Sequence, residues 1–143
     1  MEQAPSNTAT TVLVVDDDEF SRDVITEMLR AQGVTNMLVA DGGLSALRVL
    51  AGMKRLPDLM ICDIFMPDMD GIEFMSALAK QPYTGSIVLI SGSIETLSMA
   101  RDLAVAEGIK LLGSFTKPLN QSALASVLQM SLVQRAVSVM DNP

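Results

Sequence analysis

Histidine is absent from the 143 residues, which excludes His-based general bases, His metal sites and a role as phosphohistidine donor. Any chemistry must rest on carboxylates, hydroxyls and lysine. Five such residues stand at the ends of short apolar runs: Asp16 and Asp17, Asp63, Ser91 and Lys117. Three carboxylates brought to one edge repel one another and rise in pKa unless a cation neutralises them. Mg²⁺ (or Mn²⁺) suits that task, because it takes oxygen ligands and keeps waters beside one or two carboxylates. Asp17 and Asp63 would bind it directly and Asp16 through water. With phosphate as substrate, Asp63 is the carboxylate best placed to act as nucleophile and form an aspartyl phosphate. Ser91 offers a hydroxyl to a phosphoryl oxygen, and Lys117 a compact positive charge on a flexible stem. Taken singly, each residue reads as an ordinary surface or helix-start group; only their joint placement carries the chemistry.

That placement depends on the elements. Thr11–Val15 is a continuous β-branched run, as expected of a strand covered on both faces of a parallel sheet. Helical spacing follows from Asp18 to about Gln32 through Phe20, Val24, Ile25, Met28 and Leu29, with Gly33 as a stop. The alternation continues: a strand over Val34–Ala40, a helix over Leu44–Met53, a strand at Leu59–Asp63, and a helix from about Ile72 to Lys80. Then come a strand at Ser86–Ser91, a helix from about Ile94 to Glu107 closed by Gly108, a strand at Ile109–Thr116, and a last helix capped by Asn120. Five strand-helix units with right-handed crossovers make an open α/β sheet with helices on both faces and strand order 2-1-3-4-5. An eightfold barrel, needing about 250 residues, is excluded. In such sheets ligands bind beyond the carboxyl ends of the strands, where all five chemical residues fall.

Composition agrees. Apolar residues at 49% and charged residues at 19% suit one packed domain. A net charge of -7 disfavours direct contact with nucleic acid or an anionic membrane surface. One cysteine, Cys62, cannot form an intramolecular disulfide, and no apolar signal segment follows Met1, so the expected setting is the cytoplasm. Cys62 itself reads as inert core. Residues 1–10 read as a flexible leader, 11–130 as the domain, and 131–143 as an extension of the last helix and tail.

Val14-Val-Asp-Asp17, Asp63-Ile-Phe-Met-Pro-Asp-Met-Asp-Gly71, Ser91 and Lys117-Pro118, in this order on these strand ends, resemble the receiver domains of bacterial response regulators over about residues 11–130. The resemblance implies a flavodoxin-like fold and a phosphoacceptor role for Asp63, supplied by a sensor histidine kinase or a phosphotransfer protein. It also implies Mg²⁺ with the backbone carbonyl of Phe65 as a further ligand, and a cis peptide at Lys117-Pro118. The face of the fourth helix, fifth strand and fifth helix would then exchange output domains or effectors. The domain would catalyse at most its own phosphorylation and dephosphorylation. The alternative is a receiver used as a phosphorylation-independent adaptor.

Several features refine this resemblance or depart from it. Ser114 stands three residues before Lys117, where receivers often carry a switching aromatic, and strand alternation turns Phe115 to the opposite face. The stretch Ala106–Pro118 is similar to receivers attached to cyclic-di-GMP phosphodiesterase (EAL) domains. Phe65 and Ser93 fall at positions that tend to govern how water reaches an acyl phosphate, so a bulky Phe65 is expected to shield it. Finally, the last helix carries a single charge, Arg135, between Leu119 and Met140, and apolar residues on more than one face. A second apolar face implies a homodimer or docking to an output domain. The polar residues interspersed from Ser126 to Ser138 argue against a membrane span.

Overall fold

The strands are β1 (Thr11–Val15), β2 (Asn36–Ala40), β3 (Leu59–Asp63), β4 (Ser86–Ser91) and β5 (Leu111–Thr116). The helices that alternate with them are α1 (Glu19–Ala31), α2 (Gly43–Ala51), α3 (Gly71–Ala79), α4 (Ile94–Ala106) and α5 (Gln121–Asp141). The computed structural model describes residues 9–80, 83 and 85–141, with side chains as far as residue 133. All strand pairs are parallel and the order is β2-β1-β3-β4-β5, the doubly wound arrangement expected from the alternation.

Burial on both faces explains why the central strands are uninterrupted apolar runs: every residue of β3 and β4 is buried. One layer joins Leu13, Met60 and Leu89 to Phe74 of α3 and Ala100 of α4. The other joins Val14, Ile61 and Ile90 to Leu29 of α1 and Leu124 of α5. Each large aliphatic side chain so removed from water contributes about 1.5–3 kcal/mol.

Local signals set most boundaries. The Asp18 carboxylate accepts the Ser21 N–H at 3.2 Å to start α1, and Asp70 and Glu73 form a reciprocal capping box at α3. Ser93 caps α4, and Asn120 caps α5 by accepting the Ala123 N–H at 2.8 Å. Gly33 (φ 91°) and Gly108 (φ 72°) adopt the left-handed conformation that ends α1 and α4.

Three expectations are adjusted. β2 begins at Asn36 rather than Val34, because the Val34 N–H is still bonded to the Leu29 carbonyl in the turn that closes α1. β5 begins at Leu111 rather than Ile109 for the same reason, the Ile109 N–H bonding the Ala104 carbonyl. Phe20 and Val24 share helical spacing with Ile25 and Leu29 but are exposed, Phe20 at 74%. The buried stripe of α1 is narrow, comprising Ile25, Thr26 and Leu29, and leaves these two residues outside it. The expected leader over residues 1–10 and the apolar faces of the last helix beyond Val133 fall almost wholly outside the described residues. Among the described residues no helix is long and apolar enough to cross a membrane.

Candidate functional site

Strand register brings the chemical residues together. Val15 pairs with Cys62, which sets Asp16 beside Asp63. Ser91 pairs with Thr116, and the Lys117 N–H donates to the Ser91 carbonyl at 2.8 Å, tying the ends of β4 and β5 to each other.

At the centre Lys117 Nζ donates to Asp16 Oδ2 and to Asp63 Oδ2, each at 3.0 Å. Asp16 is fully buried, and its other oxygen accepts the Asp18 N–H at 2.9 Å. The second oxygen of Asp63 accepts the Phe65 N–H at 3.3 Å. Burial raises the pKa of Asp63; the bond from Lys117 opposes that rise without cancelling it, and the charge of Asp16 adds to it. Burial alone would lower the pKa of Lys117, yet its bonds to Asp63 and Asp16 prevail and hold it above the ordinary value. The ion pair thus favours both charged forms, and Asp63 still shifts upward because its desolvation is the larger effect.

Asp17 is exposed, and one oxygen from each of Asp16, Asp17 and Asp63 lies within 4.8 Å of the others. Opposed ligand oxygens of an octahedral Mg²⁺ are about 4.2 Å apart, so this all-oxygen set fits a hard divalent cation with small side-chain adjustments. Ser91 is buried, and its hydroxyl oxygen accepts the Ser93 N–H at 3.1 Å, which leaves its O–H able to donate. All five residues singled out by type and strand end therefore lie at one edge. The Lys117–Pro118 peptide is cis.

Around this centre, Phe65 is 57% exposed and stands two residues beyond Asp63. Ser114 pairs with Leu89 and Phe115 with Ile90, which belong to opposite layers. Phe115 packs on the α1/α5 side, so no aromatic side chain occupies the Ser114 position. Cys62 is buried, and burial pushes its thiol pKa far up, consistent with an inert core residue. An open cavity of about 120 Å³ lies beside Lys117, lined by Phe20, Val24, Met28, Ile90 and Pro118 among others.

Arg22 is a contributor that the sequence pattern did not single out. Its guanidinium donates to the Asp16 carbonyl at 2.8 Å and so steadies the acidic turn. Its position one helical turn beyond the Asp18 cap was the available signal.

Comparison with known proteins agrees with this fold. The model of the response regulator receiver domain matches residues 12–129. The sensor histidine kinase CheAY of Helicobacter pylori is 31% identical over 121 residues, covering 85% of this chain and 15% of that protein. An uncharacterized 14.6 kDa protein of Leptolyngbya boryana is 30% identical over 118 residues, covering 82% of this chain and 86% of the other. Among solved structures, the chemotaxis protein CheY4 of Vibrio cholerae is similar with a TM-score of 0.71 at 28% identity, covering 85% of this chain and 98% of that one. This chain spans between 15% and 30% of the length of most of the curated relatives it matches. A family match over residues 12–129, on the same fold, means that this chain belongs to the response regulator receiver domains, signalling modules of two-component systems.

Proposed function

We propose that Asp63 accepts a phosphoryl group from a sensor histidine kinase or a phosphotransfer protein in the cytoplasm. A carboxylate oxygen of Asp63 forms the new P–O bond while the bond from phosphorus to the donor breaks, its electron pair leaving with the donor group. Ser91 donates a hydrogen bond to the arriving phosphoryl group, and Lys117 neutralises part of its charge. Asp16 (through water), Asp17, Asp63 and the Phe65 carbonyl would hold Mg²⁺, which supplies charge neutralisation among the acids and phosphoryl oxygens.

The observation that carries this reading is the pair of 3.0 Å bonds from one ammonium to two buried acids within an acidic cluster. Phosphorylation would draw on Lys117 and Ser91, whose backbone bond joins β4 to β5, and so bias the face of α4, β5 and α5. That face is suited to an output domain or effector: Ile94, Met99 and Val105 of α4 are exposed apolar residues. Met130 and Val133 of α5 are exposed apolar residues too, and a second copy of the chain could also dock there. Incubation with acetyl phosphate or phosphoramidate and Mg²⁺, followed by intact mass measurement, tests the acceptor. One phosphoryl group should be gained by the parent and none by Asp63→Ala; equal gain in both would overturn the assignment.

A further inference from the structure

The loop between β3 and α3 is held at two places. At its base the Gly71 N–H donates to the Ile64 carbonyl at 2.7 Å, directly after the acceptor. At its tip the loop rests on α2: Asp68 Oδ2 accepts the Leu44 N–H at 3.3 Å, a backbone donor in the first turn of α2. Asp68 Oδ1 accepts the N–H of Met69 at 2.7 Å, which closes the tip on itself.

Two glycines make room for this contact. Gly42 and Gly43 are both buried although they begin a surface helix. A Cβ on Gly42 would stand 2.3 Å from Asp68 Oδ1, and one on Gly43 would stand 2.8 Å from the Met69 carbonyl oxygen. Gly42 is extended (φ 177°) and neither glycine is in the left-handed region, so their small size serves close approach rather than an unusual backbone conformation. The N-cap of α2, Gly42, has no side chain, and a carboxylate from 24 residues away in sequence bonds in the same first turn. A negative charge there is favoured by the helix dipole.

We infer that Asp68 is a positioning residue for phosphoryl acceptance: its bond to the start of α2 holds the loop tip, and thereby the Phe65 N–H, against Asp63. The inference rests on the phosphoacceptor reading of Asp63. Phe65 lies three residues before Asp68 in a loop already fixed at Gly71, so releasing the tip frees the one segment that carries the 3.3 Å bond to the acceptor. The bond orients a carboxylate oxygen and contributes nothing to capture of a donor. Losing it should therefore lower the maximal rate and leave donor affinity alone.

The test uses the full chain with acetyl phosphate and Mg²⁺, with the rate of mass gain followed over a range of donor concentrations. Asp68→Ala should lower the maximal rate about threefold to tenfold, the scale of a lost cap, without changing the half-saturating donor concentration. Asp68→Asn, whose amide oxygen can accept the same N–H, should restore most of the rate. Gly42→Ala gives an independent route, because its methyl group evicts the Asp68 carboxylate while the extended backbone tolerates alanine. It should match Asp68→Ala, and the double variant should be no slower than either single one. A parent-like maximal rate in Asp68→Ala, or an Asp68→Asn as slow as Asp68→Ala, would overturn the positioning role. Absence of any mass gain in the parent would instead overturn the acceptor reading and this inference with it.

Discussion

Lys117 Nζ stands 3.0 Å from a carboxylate oxygen of Asp63 and 3.0 Å from one of Asp16, bridging acids that lie 54 and 101 positions away in the chain. One ammonium faces a cluster of three carboxylates, so the resting site carries an excess of negative charge.

Replacing an acid should accordingly stabilise the metal-free protein. The pKa of Asp63 is raised in the fold, chiefly by burial, so its ionised form opposes folding at neutral pH. Its contribution becomes more favourable as pH falls through the raised value. Asp63→Asn should increase stability by about 0.5–2 kcal/mol at pH 7 in the presence of a chelator, read from urea midpoints. Added Mg²⁺ should stabilise the parent more than the variant. Lys117→Ala should shift the metal-free midpoint the other way; an increase there would contradict the bridging role.

Alkaline pH should weaken the fold through Tyr83. Its hydroxyl donates to the Pro57 carbonyl at 2.9 Å, and burial, assisted by the charge of Asp58, raises its pKa above the ordinary 10.0. A raised native value means that this stabilisation is complete below pH 10.0 and is lost as pH climbs through the native pKa, because the unfolded chain ionises first. Tyr83→Phe should lose about 0.5–1.5 kcal/mol at pH 7 and show a shallower decline above pH 10.0. Parallel pH profiles for the two proteins would refute this.

Gly71 should tolerate no side chain. A Cβ there would lie 2.8 Å from both the Asp63 carbonyl oxygen and the Ile64 Cα, which are backbone atoms that cannot swing aside. Gly71→Ala should cost about 1–3 kcal/mol by overpacking and displace Asp63 itself. Thermal unfolding and the acetyl phosphate mass assay should both register the change, and a parent-like result in both would count against it.

Phe65 should govern the lifetime of the phosphorylated state. It is exposed two residues beyond Asp63, and on the phosphoacceptor reading proposed above its bulky apolar ring would hinder the approach of water. Phe65→Asn should hasten loss of the phosphoryl group by up to about tenfold, which corresponds to about 1.4 kcal/mol in barrier. The decay of the added mass after donor removal measures this, and an unchanged half-life would argue that the ring does not shield the site.

Much of this is legible in the sequence. Runs such as Leu59–Cys62 are apolar at every position, so they must be covered on both faces, and their alternation with helical segments leaves a parallel sheet as the solution. That topology puts the carboxyl ends of β1, β3, β4 and β5 at one edge, which is why Asp16, Asp17, Asp63, Ser91 and Lys117 could be grouped from their order alone.

Other relationships were decided only in three dimensions. Helical periodicity marks Phe20 and Val24 as apolar companions of Ile25 and Leu29, but the rotation and length of α1 against the sheet determine which of them are covered. A register shift between Ile87 and Val88 changes which face successive residues of β5 present, sending Leu111 and Phe115 into opposite layers. The bonds of Arg22 to the Asp16 carbonyl and of Asp68 to the first turn of α2 are contacts between separate elements. Local pattern encodes which face of an element is apolar; which polar side chain reaches across to a neighbour depends on loop paths and on glycines small enough to admit it.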